Sequence, residues 1–411
     1  MSIELFKLEK TQNRVWFDFG TSRRLLPYFH FGSEFFIEYD RDISIVPDSI
    51  LVIPFLTNIL PIAWVLDAEI ILPEIDEDFY KSIPEIKRGY EEMYPMISFR
   101  GKVTPRRITR NTKKSEGRPV AFFSGGVDAH NTLIRHLQEK PVMVTIWGSD
   151  VFFNDREGWL NVSEHATMTA SAFGLDVVKV KSNFRSFLNE GLLSTIVTSS
   201  GDGWWRGFQH GIGIIGHAAP ITWIYDSPSV YIASSRSSKD IIQGLTCASH
   251  PSIDGKVRFA GTQVIHDSFE MSRQDKIECI VSFTKKTHKN IQLHVCWESS
   301  GGKNCNTCEK CLRTILGIIS AGANPDDFGL HYNAQNMILI KNKLHKKTKN
   351  LYYFILIGNY IEIWNSFNAN NIILQYPELQ WFKDFEFEKI ANTITKRKTL
   401  LIHPWKRLFR M

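Results

Sequence analysis

From residue 119 onward, short apolar runs alternate with amphipathic stretches, and that alternation admits few folds other than a parallel sheet covered by helices. The runs Pro119–Phe123, Pro141–Trp147, Asp176–Val180, Val230–Ser234 and Thr262–His266 carry the branched and aromatic residues that fill buried strands. Between the first two, Asp128–Glu139 places Leu133, Ile134 and Leu137 on one face, as a helix packed on a sheet requires. Val120–Trp147 therefore reads as strand, tight turn, helix, strand, and the fold class as α/β.

The first hundred residues read differently. Short β-like runs at Arg14–Phe19, Phe35–Tyr39, Ile50–Pro54 and Ile62–Leu66, with a helix over Glu77–Glu92, suggest an N-terminal α+β domain, residues 1–100. The polar, basic stretch Arg100–Arg118 reads as an exposed linker, 101–118. The α/β domain then spans 119–320 and a basic helical region 321–411, with helices expected at Tyr352–Trp364 and Phe382–Thr395 and a basic amphipathic end at Lys396–Met411. The net charge of +6 is concentrated there: Lys341–Met411 holds thirteen Lys or Arg against five Asp or Glu, so the rest sums to −2. That balance does not by itself demand a nucleic-acid partner.

Met1–Lys10 contains Glu4, Lys7, Glu9 and Lys10 where a secretory signal needs a continuous apolar core. The longest uncharged stretch, Ile50–Leu66, has seventeen residues broken by Pro54 and Pro61, short of the ~20 that cross a bilayer. It reads as buried strands and turns. A cytoplasmic protein without a membrane association is expected, its oligomeric state open, a homodimer included.

The segment Phe123-Ser124-Gly125-Gly126-Val127-Asp128-Ala129 sets a hydroxyl and two glycines between a strand end and a helix start. Glycine permits the tight turn and a close approach of ligand, and successive amides with the positive helix end converge on one anion. Asp128 is placed to organise the turn or to meet Mg²⁺ carried by phosphates.

Cys296, Cys305, Cys308 and Cys311 crowd into sixteen residues. Four thiolates close a tetrahedral Zn²⁺ shell with no open position, the pattern of a structural site. An iron–sulfur cluster is the rival, although the ferredoxin ending C-x3-C-P is missing. Cys247 and Cys279 stand apart as small buried residues.

The turn Ser124-Gly125-Gly126-Val127-Asp128-Ala129 resembles the SGGxDS motif of the PP-loop ATP pyrophosphatases, with Ala129 where that superfamily has serine. Together with Asn304-Cys305-Asn306-Thr307-Cys308-Glu309-Lys310-Cys311-Leu312-Arg313-Thr314, which is similar to an NCGxCxKCxRT zinc loop, it resembles the 7-cyano-7-deazaguanine synthase (QueC) family and its QueC-like relatives over about residues 119–320. The resemblance implies a Rossmann-like, doubly wound parallel sheet of the PP-loop type, with a four-cysteine zinc loop. It also implies ATP and Mg²⁺ as cofactors, and adenylation of a carboxylate with release of AMP and pyrophosphate. The implied substrate is a 7-deazapurine such as 7-carboxy-7-deazaguanine, followed by amide or nitrile formation.

In such sheets ligands bind at the C-terminal strand edges. ATP is therefore expected against Phe123–Ala129 and against Trp147, Gly148 and Asp150. Substrate is expected against Ser234, Ser235, Arg236, His250, Asp254, His266 and Asp267. Catalysis is assigned to Ser124, Asp128, Arg236 and Lys276, as charge stabilisers rather than nucleophiles. QueC-like relatives in antiphage gene clusters suggest an alternative in which a protein amine accepts the activated deazaguanine. A tRNA-modifying PP-loop enzyme and a degenerate nucleotide-binding scaffold are the remaining alternatives.

Overall fold

The computed structural model describes residues 1–30, 34–239, 246–296, 298, 301–347, 354–387 and 389. These fall into two compact units, the first built from 1–235, 246–269 and 301–302, the second from 236–239, 270–298 and 303–389.

The first unit is organised on one mostly parallel sheet of eleven strands. In chain order they are β1 (Ser2–Lys10), β2 (Arg14–Thr21), β3 (Phe35–Tyr39), β4 (Glu69–Asp76), β5 (Lys102–Thr109), β6 (Val120–Phe122), β7 (Val142–Trp147), β8 (Val177–Ser182), β9 (Ser229–Ala233), β10 (Arg258–Phe259) and β11 (Thr262–Asp267). Their spatial order is β10-β11-β9-β6-β7-β8-β3-β2-β1-β4-β5. The five central strands, β11-β9-β6-β7-β8, are all parallel. They match the five apolar runs of the sequence, because strands covered on both faces read as near-continuous hydrophobic segments. The chain moves outward from β6 through β7 to β8, then returns to the other side for β9 and β11. The crevice between β6 and β9 is the point where strand order reverses, the usual ligand position in open α/β sheets.

Residues 1–100 do not stand apart from this sheet. β3 pairs antiparallel with β8 (Ile37 opposite Ser182, Tyr39 opposite Val180), which carries the N-terminal strands into the same layer. Ile50–Leu66, expected as strands and turns, contains the helix α1 (Ile53–Val65), buried from Ile53 to Trp64. A continuous apolar run has no period to separate buried helix from buried strand. Pro54 sits in the first helical turn, where its missing N–H costs nothing. The helix expected at Glu77–Glu92 is α2 (Glu77–Met93), capped by Asp76, whose carboxylate accepts from the Phe79 amide at 3.0 Å.

The stretch expected as a linker also differs. Lys102–Thr109 is the edge strand β5, parallel to β4, with Glu69 opposite Lys102 and Glu74 opposite Arg107. Lys102, Arg106 and Arg107 form ion pairs with Glu69, Glu4 and Glu74 at 3.0, 3.0 and 2.5 Å. Basic residues and Pro105 suit an edge that must not recruit further strands, and a strand made of such residues has no apolar alternation to betray it. Beyond it, Lys113 is half-buried and its ammonium donates to Thr222 O (3.0 Å), Ser227 O (2.5 Å) and Thr262 Oγ1 (2.7 Å). Burial pulls its pKa down to about 8. Lys113→Met removes three hydrogen bonds from a charged donor, while Thr222 O keeps the Ser227 amide (2.9 Å) and Ser227 O keeps the Thr262 hydroxyl (2.9 Å). The expected cost is about 1.5–3 kcal/mol, that of losing a hydrogen bond to a charged group. A lowered urea midpoint with unchanged slope is the expected result.

Helices α3 (Val127–Arg135) and α4 (Arg156–Phe173) cover one face of the central strands, packing Ala129, Leu133, Ala166 and Ala170 with Phe123 and Met143. On the other face α1 and the helical turns between Trp205 and Ile224 bury Val120, Val142, Val144 and Val230. A short helix, α5 (Glu190–Ile196), follows β8.

The second unit contains α6 (Arg273–Thr287), α7 (Glu309–Ser320), α8 (Ala334–Lys347) and α9 (Phe354–Ala369). α7 is buried along its whole length. Gln274 ties α6 to its neighbours by donating to Gly317 O (3.1 Å) and Ser366 Oγ (3.2 Å). The cysteine loop, assigned by sequence to the α/β domain, belongs here with the C-terminal helices. Of the expected Phe382–Thr395 helix, one turn at Gln380–Lys383 is seen, and most of the remainder, with Lys396–Met411, lies outside the described residues. No helix among the described residues is long and apolar enough to cross a membrane.

Candidate functional site

The turn after β6 is built by backbone. The Phe123 amide donates to Val144 O at 2.8 Å, so the strand pairing continues one residue before the chain bends. Ser124 is exposed, and Gly125 takes φ 78°, a left-handed conformation in which a side chain is strained. Gly126, extended at φ −81° and ψ 176°, caps α3 without a side chain, so no capping oxygen competes for the first amides of the helix. Asp128 lies in that first turn, half-buried. Ala129 is 5% exposed and packs into the apolar cluster under α3 and α4. His130 does not stand in for the motif hydroxyl: its Nδ1 donates to Gly126 O at 3.1 Å, and its ring packs edge-on against Phe123.

After β7, Gly148 has φ 107°, and a Cβ there would lie 1.8 Å from Ser182 O, so only glycine lets the chain turn. Trp147 stacks with Phe153 and with Trp159 at 5.3 and 5.5 Å, with the Lys181 ammonium 5.2 Å from its ring. Asp150 is exposed. The sequence reading named Trp147 but missed this stack, whose signal was the density of aromatics between 147 and 159.

On the far side of the switch point the sequence-selected residues divide by the way they face. Asp267, expected to meet substrate, points to α3 instead. Its carboxylate accepts from Thr132 Oγ1 (2.8 Å), Ser268 Oγ (2.6 Å) and His136 Nε2 (3.0 Å). Burial alone would raise its pKa, but these hydrogen bonds overcome it and bring the value down to about 2. Burial pulls His136 down, and its bonds to Asp267 and Glu139 outweigh that and raise it. The pair therefore clamps α3. Asp267 stabilises the fold fully above its unfolded value of 3.8 and loses this as pH falls through about 2. His136 contributes below 6.5 and loses this as pH rises through its raised folded value. The clamp is strongest between pH about 4 and 6.5. Asp267→Asn is expected to cost about 2 kcal/mol there, with the difference from wild type shrinking between pH 4 and 2. A gap in urea midpoints that is constant over that range overturns the assignment.

His266, the neighbouring residue, faces the opposite side of the sheet and its Nδ1 lies 2.9 Å from Asp254 Oδ2, with both side chains almost wholly buried. Ser249 Oγ donates to the same oxygen at 2.7 Å. His250 accepts at Nδ1 from the Ser252 amide (3.1 Å), and both His250 and His266 meet Phe269 edge-on. Burial pushes the His250 pKa down, and the nearby His266 adds to that effect. His210 joins this group: burial pulls it down, but a hydrogen bond with the Cys247 side chain and the charges of Cys247, Asp150 and Asp254 raise it. The strand-end pattern singles out His250, Asp254 and His266 separately; Cys247, expected as a small buried residue, and His210 are the additions. Ser234 is fully buried and Ser235 exposed at the end of β9.

Arg236 and Lys276 belong to the second unit. Arg236 is half-buried, and Lys276 is 2% exposed in α6. That unit also holds Cys296, Cys305, Cys308 and Cys311, whose sulfurs all lie within 4.8 Å of one another and form a group able to hold a metal ion. The Thr307 and Cys308 amides donate to Cys305 Sγ at 3.5 and 3.2 Å, and Cys311 N donates to Cys308 Sγ at 3.4 Å. Asn304 clips the loop by donating to Leu293 O (2.6 Å) and Gly329 O (2.9 Å). Hydrogen bonds from the Cys311 thiol and amide pull Cys308 down to about 5, and the same thiol hydrogen bond, with burial and the charge on Cys308, pushes Cys311 up. Without a cation the four sulfurs cannot all ionise, which is the electrostatic case for a metal.

Comparison of the chain with protein-family models, with curated proteins and with solved structures finds no match.

Proposed function

We propose that the chain binds ATP with Mg²⁺ at Phe123–Ala129 and adenylates a carboxylate, releasing pyrophosphate. The observation that carries this reading is the glycine-built turn at the C-terminal edge of β6, beside the reversal of strand order and at the start of α3. Backbone amides there suit the phosphate chain, and the exposed Ser124 hydroxyl adds a donor. Asp128 is the residue that would hold Mg²⁺, whose charge offsets that of the phosphates. A carboxylate oxygen attacks the α-phosphorus, the bond to the bridging oxygen breaks, and pyrophosphate leaves with that electron pair. Trp147, Gly148 and Asp150 border the nucleotide side; His250, Asp254 and His266 border the acceptor side. The proposed acid is a 7-deazapurine such as 7-carboxy-7-deazaguanine, passed on to an amide or nitrile, or to a protein amine.

We assign Zn²⁺ to the four cysteines. The Sγ separations of 3.9 Å (Cys296 to Cys308) and 4.0 Å (Cys305 to Cys311) are close to the edge of about 3.8 Å that a tetrahedron with ~2.3 Å Zn–S bonds requires. A closed shell of this kind supplies structure and no reactive position.

The test is incubation with ATP, Mg²⁺ and 7-carboxy-7-deazaguanine, followed by mass spectrometry of AMP and of the acid. AMP formed in step with loss of the acid is the expected result. No AMP with this or other carboxylates leaves a nucleotide-binding scaffold.

A further inference from the structure

Among the described residues, two buried polar atoms of the acceptor side have no hydrogen-bond partner: His266 Nε2 and Asp254 Oδ1. Their partner atoms are fully engaged, since Nδ1 of His266 and the Ser249 hydroxyl both reach Asp254 Oδ2. A carboxylate accepts, so Nδ1 carries the proton and Nε2 presents a lone pair. Gly211 explains how the carboxylate is seated: it has φ 88°, and a Cβ would come within 2.6 Å of Asp254 Oδ1. Leaving a buried imidazole nitrogen unsatisfied costs about 1–3 kcal/mol, which a merely structural histidine would avoid.

The position fits chemistry at the turn. Ala121 on β6 is level with Tyr231 on β9, which is level with Ile265 on β11. His266 follows Ile265 at the same strand edge, two strand spacings, roughly 10 Å, from β6. Its side chain leaves the sheet on the face opposite Asp267, clear of α3.

We propose that His266, oriented by Asp254, is the general base for transfer of the adenylated acyl group to an amine. This rests on the adenylation reading and names the next step. An ammonium or alkylammonium has no lone pair until a proton leaves. Nε2 takes that proton, and the freed amine attacks the acyl carbon. As the C–N bond forms, the bond from the acyl carbon to the AMP oxygen breaks with its electron pair going to AMP, and the second proton released by the nitrogen goes to the departing phosphate. The products are amide, protonated AMP and a protonated imidazole. Asp254 is a positioning residue that sets the tautomer and stabilises the imidazolium. The titratable neighbours are His250, His210, Cys247 and Tyr90, with Asp150 beside His210.

The experiment uses the full chain with ATP, Mg²⁺ and 7-carboxy-7-deazaguanine, and compares ammonium chloride with hydroxylamine, a weakly basic nucleophile that is unprotonated at neutral pH. In His266→Gln, amide formation from ammonium is expected to fall by about 10²-fold or more, and by a much larger factor than hydroxamate formation or ATP–pyrophosphate exchange. Asp254→Asn is expected to shift the pH profile of amide formation relative to that of exchange. Nitrogen NMR of the wild-type protein is expected to show the His266 proton on Nδ1. Unchanged ammonium turnover in His266→Gln, equal loss with both nucleophiles, or a proton on Nε2 overturns the base. Absence of exchange in the wild type instead sinks the adenylation reading, and the base with it.

Discussion

Cys311→Ser is expected to abolish metal binding and to leave residues 270–389 sensitive to protease. The four sulfurs lie within 4.8 Å of one another, three of the cysteines fall within seven residues, and Cys308 caps α7, the buried helix on which the second unit packs. Structural zinc of this kind contributes on the order of 10–16 kcal/mol to folding, comparable to the 5–15 kcal/mol of net stability of an ordinary domain. A missing thiolate leaves three ligands and an open position, so a large part of that stabilisation goes. Elemental analysis of wild type is expected to find about one zinc per chain, and a strong chelator to reproduce the proteolysis of the variant. Cys279→Ser, outside the loop, is expected to retain the metal. A wild-type protein that carries no metal, or a Cys311→Ser variant with an unchanged melting curve, removes the assignment.

The second large effect concerns the turn after β6. Asp128→Asn is expected to reduce AMP release by about 10²–10³-fold, the usual consequence of removing a group that stabilises charge in the transition state. Ser124→Ala is expected to cost about 1.5–3 kcal/mol, the worth of one hydrogen bond to a charged group. Ser124 is exposed in the turn and Asp128 lies half-buried in the first turn of α3, outside its apolar cluster, so thermal unfolding is expected to stay near wild type. Gly125→Val adds a separate check, because its φ of 78° is strained for a β-branched residue. It is expected to weaken nucleotide binding through the backbone alone. Turnover at wild-type rates in both Asp128→Asn and Ser124→Ala, read from the same AMP assay, would place the nucleotide elsewhere.

Much of the central sheet was readable because its strands are covered on both faces and therefore appear as unbroken apolar segments. The outer strands were not. β5 is basic, contains Pro105 and is held by cross-strand ion pairs, features that in sequence look like a solvated connector. α1 failed for the converse reason: a segment buried all round has no polar face, so nothing in its pattern distinguishes 1.5 Å from 3.3 Å of rise per residue. The apparent boundary at residue 100 came from a change in composition, whereas pairing of β3 with β8 makes the sheet continuous across it.

The candidate site shows the same division. Ser124, Gly125 and Gly126 are legible because a strand, two glycines and a helix start adjoin in the chain, and the four cysteines because three of them share one turn and its flank. Such local spacing sets local geometry, and the sequence by itself determined those two features and the run of five apolar strands. Which way each strand-end residue points was decided only by tertiary structure. Asp267 and His266 are neighbours in the chain, yet one clamps α3 through Thr132 and His136 and the other meets Asp254, twelve residues away. Successive side chains of a strand emerge on opposite faces, and what waits on each face is supplied by segments distant in sequence.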